Sequence, residues 1–298
     1  MRAADSKLAL RATWLATRAA AAVSPAMAGP LAAKLWFTPW RVLPGERGLT
    51  RQAEWLKDTE PVSFDTTRGR IAGFAAGSGP VVLLVHGWGE RAASLGAFIA
   101  PLVAGGYRVV GIDLPAHGAS PGRRTDGFEV AGAIREVSDS LGGVHAVIGH
   151  SMGAMTTVYA ASRGMDAAAL VLVAPSARLD HAFDTFTKLF RLPPNATTGL
   201  KQLIARRYGT DVWKRFNGNV LALEMEVPAL IVHDNDDPQV ALDDAEELAA
   251  AWPGARLVTT EGLGHGRILR DPQVVEEVVS FLRTVPLRAG AVSGAAGA

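Results

Sequence analysis

The stretch GHSMG, residues 149–153, decides the fold of this chain. The apolar run before it, residues 144–148, is typical of a buried strand, and the small-residue run after it, 154–161, is typical of a helix. G-x-S-x-G between a strand and a helix indicates a nucleophile elbow, a turn so sharp that its middle residue is held in strained backbone geometry. Ser151 is therefore the candidate nucleophile, at the carboxyl end of its strand and beside a helix N-terminus that favours negative charge.

Strands and helices alternate on both sides of this stretch. The alternation predicts an α/β fold, a mostly parallel sheet with helices on both faces and a functional site at the carboxyl ends of the strands. The predicted strands are 62–65 and 71–74 (a hairpin), 81–85, 108–112, 144–148, 169–173, 229–233 and 256–259, and the predicted helices are 92–104, 128–141, 154–161, 242–251 and 272–282.

Residues 176–226 interrupt the alternation with helical patterns and are predicted to form a lid over the sheet edge above Ser151. One apolar stripe consists of Phe183, Phe186 and Phe190, which either pack the helix or also line a pocket under the lid. Between residues 178 and 225 there are eight Lys or Arg and four Asp or Glu, a balance that favours a solvated outer face over an anion site.

The composition excludes several classes of function. The chain has 298 residues, 48% of them apolar, and a net charge of +1, so no overall field attracts nucleic acid. It contains no Cys, which excludes disulfides, thiolate metal sites and a cysteine nucleophile and fits a reducing, cytoplasmic compartment. No stretch reaches the roughly 18 apolar residues of a membrane span.

The N-terminal sixty residues are predicted to be a helical extension, with a helix over residues 8–23. Lys7, Arg11 and Arg18 share one face of that helix. We favour packing of its apolar side on the rest of the protein; a peripheral helix at a membrane surface is the alternative. A cleaved secretory signal is not favoured, because Arg11 and Arg18 interrupt the apolar run that it requires.

A serine hydroxyl needs a base to take its proton and an acid to orient that base. His265, between the last strand and the last helix, is best placed as the base. The structural interpretation is stronger for His145, His150 and His233, whereas His181 in the lid remains a rival.

The acid is expected in the loop after the strand at 229–233. Asp234, Asp236 and Asp237 all lie in that loop, and their spacing does not choose among them.

Further motifs give the chain a resemblance to the α/β-hydrolase superfamily. HGWG at residues 86–89 resembles its oxyanion loop, and DLPAHGAS at 113–120 resembles its D-x-P-x-H-G-x-S loop. The order Ser151, Asp237, His265 matches the nucleophile, acid and histidine of the family, with Asp237 at the position of the acid.

The resemblance covers residues 61–285 and implies a sheet of about eight strands. A core of residues 61–175 and 227–285 would carry the lid, with a disordered tail at 286–298. The oxyanion hole would be the backbone N–H groups of Trp88 and Met152, with Trp88 also a wall of the substrate pocket. His86 and His117 would shape loops, and neither a metal nor an organic cofactor is implied.

These features predict a serine hydrolase that cleaves a carboxylic ester of a small, largely apolar substrate through an acyl-enzyme. Other reactions of the family remain open: hydrolysis of C–C, amide or lactone bonds, and cofactor-free oxidation. A non-enzymatic ligand-binding protein is the second class of hypothesis, and the sequence gives no oligomeric state.

Overall fold

A computed structural model describes residues 3–40 and 45–287, with side chains from Ala9 onward. The disordered tail predicted at residues 286–298 lies outside these residues, except for Pro286 and Leu287. Within the described ranges, every helix is too short or too polar to span a bilayer.

Eight strands form a single sheet, as predicted. They are β1 Glu60–Thr66, β2 Gly69–Ala76, β3 Val81–Val85, β4 Arg108–Ile112, β5 Val144–His150, β6 Ala167–Val173, β7 Ala229–Asp234 and β8 Arg256–Thr260. Their spatial order is β1-β2-β4-β3-β5-β6-β7-β8. The β1–β2 hairpin pairs antiparallel with β4, and all other pairs are parallel.

The α-helices occupy both faces of the sheet, the N-terminal sixty residues and the segment 176–226. They are α1 Ala3–Ala21, α2 Pro25–Trp36, α3 Glu46–Leu56, α4 Ile99–Ala104, α5 Gly127–Ser140, α6 Met152–Ser162, α7 Leu179–Leu189, α8 Pro194–Tyr208, α9 Val212–Arg215, α10 Gly218–Ala222, α11 Leu242–Ala251, α12 Gly264–Arg267 and α13 Pro272–Thr284. Short 3₁₀ helices lie at Ala92–Phe98 and Ile268–Arg270.

The central strand β5 is buried on both faces, which explains its continuous apolar sequence. Val147 packs into a core with α5, α6 and α11, and the neighbouring Ile148 packs into a second core with α4 and α13. This double cover fixes β5 in the middle of the sheet and brings its carboxyl end, followed by Ser151, to the edge where the loops gather.

Residues 92–104, predicted as one helix, form a 3₁₀ helix followed by α4. Pro101 has no backbone N–H and is accommodated in the first turn of an α-helix, so the regular helix begins only at Ile99. Gly96 in the 3₁₀ segment lets α3 come close, since a Cβ there would lie 2.6 Å from the Trp55 ring.

The N-terminal region contains three helices, where the sequence predicted one at residues 8–23. The side chain of Ser24 caps α2, and Pro25 occupies its first turn, so α1 and α2 are separated by a sharp turn. α2 packs on α8 at a very short distance: a Cβ added to Gly29 would lie 2.8 Å from the carbonyl carbon of Gly199. Small residues on both helices therefore join the N-terminal region to residues 176–226. Those residues contain the helices α7 to α10, in agreement with their helical sequence pattern.

Candidate active site

The turn between β5 and α6 has the strained geometry of an elbow. Ser151 has φ 55° and ψ −121°, a conformation that non-glycine residues rarely adopt. A Cβ on Gly149 would lie 2.7 Å from Cα of Ala154, and one on Gly153 would lie 2.3 Å from the carbonyl oxygen of His86. Both glycines are thus required for the strand and the helix to meet at this angle.

The structure brings together the three residues that the sequence proposed as nucleophile, base and acid. Nε2 of His265 lies 3.0 Å from Oγ of Ser151, and Nδ1 of His265 lies 2.6 Å from Oδ2 of Asp237. Since Nδ1 faces a carboxylate, we assign its proton there, which leaves the lone pair of Nε2 directed at the serine hydroxyl. This is the tautomer that a general base for Ser151 requires.

Burial and hydrogen bonds set the charges of this pair. Burial lowers the pKa of His265 below 6.5, and the hydrogen bond with Asp237 opposes that shift only in part. Burial would raise the pKa of Asp237, but hydrogen bonds from His265 and from the backbone N–H groups of Gln239 and Val240 lower it. At pH 7 the site therefore holds a neutral imidazole against an ionised carboxylate.

The other two carboxylates of the acid loop have different partners. Asp234 is fully buried and accepts hydrogen bonds from Oγ1 of Thr260 at 2.7 Å and from the N–H groups of Leu263 and Gly264 at 2.9 and 2.8 Å. Asp236 accepts one from the N–H of Gly262 at 2.9 Å. These bonds hold the loop that carries His265 and leave Asp237 as the carboxylate that contacts the imidazole.

His150, the residue before Ser151, forms a second charged pair behind the site. Its Nδ1 lies 3.1 Å from Oε2 of Glu90, and its Nε2 lies 3.0 Å from the carbonyl oxygen of His265. Both partner atoms only accept hydrogen bonds at pH 7, so both ring nitrogens carry a proton and the ring is cationic. Burial opposes this charge, but the attraction of Glu90 raises the pKa of His150 above 6.5.

The His150 cation affects His265 in two ways. Its hydrogen bond fixes the backbone carbonyl of His265, and its charge, with ring centroids 4.7 Å apart, helps to lower the pKa of His265. The sequence pattern indicated a structural role for His150, and no motif pointed to Glu90. Glu90 and His150 are 60 positions apart, and no local pattern links them.

The chain comes close to Ser151 at the two residues predicted to form the oxyanion hole, Trp88 and Met152. Met152 opens α6 directly after Ser151. Gly87 brings the loop after β3 against the nucleophile, because a Cβ added there would lie 3.1 Å from Cβ of Ser151. The loop after β3 and the first turn of α6 therefore both lie next to Ser151, and the role of the two N–H groups as an oxyanion hole stays a prediction.

Two buried histidines hold that loop. His86 Nε2 accepts from the N–H of Leu114, and His117 Nε2 accepts from the N–H of Gly89, both at 3.0 Å. Their Nδ1 atoms donate to the carbonyl oxygens of residues 87 and 115 at 2.7 and 2.9 Å. The Trp88 ring packs edge-on against His117. These contacts account for the loop-shaping roles that the family resemblance implies.

The remaining histidines have partners other than Ser151. His145 stacks on Tyr107, and His233 Nε2 donates to a backbone carbonyl oxygen 3.0 Å away. His181, the rival base, pairs instead with the buried Asp244, whose pKa burial raises. His181 therefore attaches α7 to α11, and its partner is the carboxylate of Asp244.

The aromatic stripe of α7 packs against the N-terminal helices. Phe183 and Phe186 contact Trp36 with ring centroids 5.8 and 4.9 Å apart, and Phe190 stacks beside Phe186 at 4.6 Å. The packing interpretation accounts for all three rings, and their role in a substrate pocket stays a prediction. A second aromatic cluster, which the sequence pattern did not reveal, joins α5 and α6 to residues 208–216. Its members are Phe128, Tyr159, Tyr208 and Phe216.

Two further features bear on what the site could bind. Within the described residues, no three His, Asp or Glu side chains are arranged to hold a metal ion. A cavity of about 740 Å³ lies between α3, β2 and the segment 89–94 and is lined in part by Glu90. Ser151, His265 and Trp88 are not among its lining residues.

Comparison with known proteins agrees with this geometry. A family model described as the alpha/beta hydrolase family matches residues 82–278. The pimeloyl-(acyl-carrier protein) methyl ester esterase of Methylococcus capsulatus is 41% identical over 87 residues, 29% of this chain and 33% of that protein. Protein phosphatase methylesterase 1 of Bos taurus is 30% identical over 121 residues, 38% of this chain and 32% of that protein. The matches span about a third of the length of these two curated relatives.

Solved structures share the fold at low sequence identity. An esterase from Exiguobacterium antarcticum superposes with a TM-score of 0.60 and 20% identity, covering 76% of this chain and 100% of that one.

Proposed function

Since this chain belongs to the alpha/beta hydrolase family, we propose that it is a serine esterase. Its substrate would be a carboxylic ester of a small, largely apolar molecule. The observation that carries the proposal is the hydrogen-bonded series from Asp237 through His265 to Ser151, with distances of 2.6 and 3.0 Å. Ser151 lies on a strained elbow beside a helix N-terminus, where negative charge is stabilised.

In the proposed mechanism the same groups act in two half-reactions, the formation and the hydrolysis of an acyl-enzyme. Ser151 Oγ attacks the ester carbonyl while His265 Nε2 takes its proton, and the N–H groups of Trp88 and Met152 stabilise the oxyanion. His265 then gives the proton to the departing alcohol, which leaves an acyl-enzyme. Water then attacks the acyl-enzyme while His265 Nε2 takes a proton from it. His265 returns this proton to Ser151 Oγ as the carboxylic acid is released. Asp237 stabilises the imidazolium formed in both halves.

The relatives suggest which esters to assay first. Both are named as enzymes that hydrolyse methyl esters, so an alcohol portion of one carbon is the natural starting point. We propose residues 176–226 as the lid that sets the acyl preference, with the Trp88 ring as one wall of the pocket. The N-terminal helices pack on this lid and would restrict its movement.

The test is a panel of p-nitrophenyl and methyl esters of increasing acyl length, together with a fluorophosphonate that labels activated serines. We expect ester turnover and labelling, both lost in Ser151→Ala, with a fall in kcat of several orders of magnitude, on the order of 10⁶. A circular dichroism spectrum and melting temperature matching the parent protein would show that the variant remains folded.

Two results would contradict the proposal in different ways. Labelling of Ser151 without turnover of any ester would retain the activated serine and move the reaction to another bond, such as an amide, lactone or C–C bond. Absence of labelling in a folded protein would favour a ligand-binding protein without hydrolase activity.

A further inference from the structure

Charge is distributed very unevenly along this nearly neutral chain. Residues 6–45 and 185–210 together contain ten Lys or Arg and no Asp or Glu. The remaining residues therefore carry 20 Lys or Arg and 29 Asp or Glu. The net charge of +1 conceals two strongly cationic segments in an otherwise anionic protein.

These two segments are distant in sequence and adjacent in the structure. α2 packs on α8 through Gly29 and Gly199. α1 is joined to the end of α7 by a hydrogen bond from Trp14 Nε1 to the carbonyl oxygen of Phe190, at 2.6 Å. The guanidinium of Arg18 donates to the neighbouring carbonyl oxygen of Arg191 at 3.4 Å. The fold thus brings Arg11 and Arg18 of the first segment next to Arg191 of the second.

Apolar side chains are exposed at the same junction. Leu15 on α1 is 60% exposed and Leu189 at the end of α7 is 76% exposed. Val23 and Met27, near the turn between α1 and α2, are 68% and 55% exposed. A shallow cleft of about 230 Å³ lies here, lined by Leu10, Arg11, Trp14, Leu189, Phe190 and Arg191.

The cations around this cleft have no carboxylate partners. Arg11, Arg18, Lys188 and Arg191 are all exposed, and none forms an ion pair with any described residue. The nearest acidic residue in α7 is Asp184, one turn before Lys188. We call Arg11, Leu15, Arg18, Leu189 and Arg191 the basic–apolar face.

We propose that the basic–apolar face docks this protein on the surface of a membrane that contains anionic phospholipids. Unpaired cations match the negative headgroups, and the exposed leucines between them match the boundary between headgroups and acyl chains. Nucleic acid fits less well, because its phosphates offer nothing apolar for Leu15 and Leu189 to contact. The packing of α1 on the lid and contact with a membrane are compatible, because Leu15 and Leu189 stay exposed when these elements are packed together.

The size of the effect follows from the number of cations. Each Lys or Arg near an anionic surface strengthens binding about fivefold at moderate salt. Replacing Arg11, Arg18 and Arg191 by Gln should therefore weaken binding about 100-fold. Leu189→Ser should weaken it further without affecting the fold, because the side chain is 76% exposed.

The experiment is co-sedimentation of the full chain with phosphatidylcholine vesicles that contain or lack phosphatidylglycerol, at low and high salt. We expect binding to the anionic vesicles, release at high salt, and loss in the triple Gln variant and in Leu189→Ser. Matched controls are the triple variant Arg135→Gln, Arg256→Gln, Arg283→Gln, which removes the same charge elsewhere, and Leu223→Ser, at a leucine that is 65% exposed. Both controls should bind as the parent protein does.

Three outcomes would overturn the proposal. Equal binding to neutral and anionic vesicles would show that charge does not drive the binding. Equal losses of binding in the control variants would show that the basic–apolar face is not the binding surface. The third outcome is self-association in sedimentation velocity that depends on Leu189, without vesicle binding. It would show that a second copy of the chain covers the basic–apolar face. All readouts are independent of esterase activity, so failure here leaves the proposed function untouched.

Discussion

Glu90→Gln tests the charged pair behind the candidate active site. Oε2 of Glu90 accepts hydrogen bonds from the N–H of Gly87 at 3.0 Å and from Nδ1 of His150 at 3.1 Å. The side chain of His150 is fully buried. Glutamine keeps the shape and one acceptor oxygen but removes the negative charge, which leaves a buried imidazolium without compensation or forces His150 to lose its proton.

The magnitude follows from the pKa of the carboxyl group. Burial would raise the pKa of Glu90, but His150 and the N–H of Gly87 lower it from 4.5 to about 2. One pKa unit corresponds to about 1.4 kcal/mol, so a shift of this size means that the ionised carboxylate stabilises the fold by about 3 kcal/mol. We expect Glu90→Gln to lower the free energy of unfolding at pH 7 by about 2 to 3 kcal/mol.

The pair also has a characteristic pH dependence. The pKa of Glu90 is depressed in the fold, so its contribution is present above 4.5 and is lost as the pH falls towards 2. The pKa of His150 is raised, so its contribution is present below 6.5 and is lost as the pH rises through the folded value. The difference in stability between parent and variant should therefore be largest between pH 4.5 and 6.5 and should shrink on either side.

The assay is urea unfolding followed by Trp fluorescence across this pH range. Glu136→Gln is the matched control, since Glu136 accepts two hydrogen bonds from Thr67 on the surface without a cation partner of this kind; its cost should be about 1 kcal/mol or less. If both variants cost the same at every pH, Glu90 and His150 do not form a charged pair and the assignment of two protons to His150 is wrong.

Three further predictions concern the acid, the base and the elbow. Asp237→Asn should lower kcat on the order of 10⁴-fold with little change in melting temperature. Asp234→Asn should mainly lower the melting temperature, and similar losses of kcat in both variants would leave the acid unassigned. Because burial lowers the pKa of His265, kcat/KM should fall with decreasing pH around a midpoint below 6.5, and a midpoint above that value would contradict the described environment. Gly153→Ala would place a Cβ 2.3 Å from a backbone carbonyl oxygen and should destabilise the protein by about 1 to 3 kcal/mol, whereas Gly266→Ala, with no atom within 4 Å of the added Cβ, should be nearly neutral in unfolding experiments.

The sequence predicted the sheet because its strands carry their own signal. Strands covered on both faces, such as β5 with every residue buried, appear as continuous apolar runs between glycine-rich turns. The elbow was also predictable, since its two glycines stand between a strand and a helix pattern. The two histidine loops were predictable only from their resemblance to family motifs, because His86 and His117 each bond to a residue 28 positions away. The order of nucleophile, acid and histidine then placed three side chains at one edge of the sheet.

Other features depend on long-range packing and left no such signal. The Phe183 stripe indicates an amphipathic helix, but a stripe does not specify its partner, which is Trp36 of an N-terminal helix. The choice among three carboxylates within four residues depends on how the loop bends between Asp234 and Asp237. The pairing of Glu90 with His150 requires two sheet-edge loops to meet, so only the tertiary structure identifies it.

The close packing of α2 on α8 has a consequence for synthesis. Gly29 leaves the ribosome about 170 residues before Gly199, which at ordinary elongation rates is an interval of roughly 10 to 30 s. During that time the face of α2 that later meets α8 lacks this native partner. The packing of α2 is thus completed only after α8 has been made. A nascent chain halted before residue 194 therefore exposes this apolar face of α2 to chaperones and proteases.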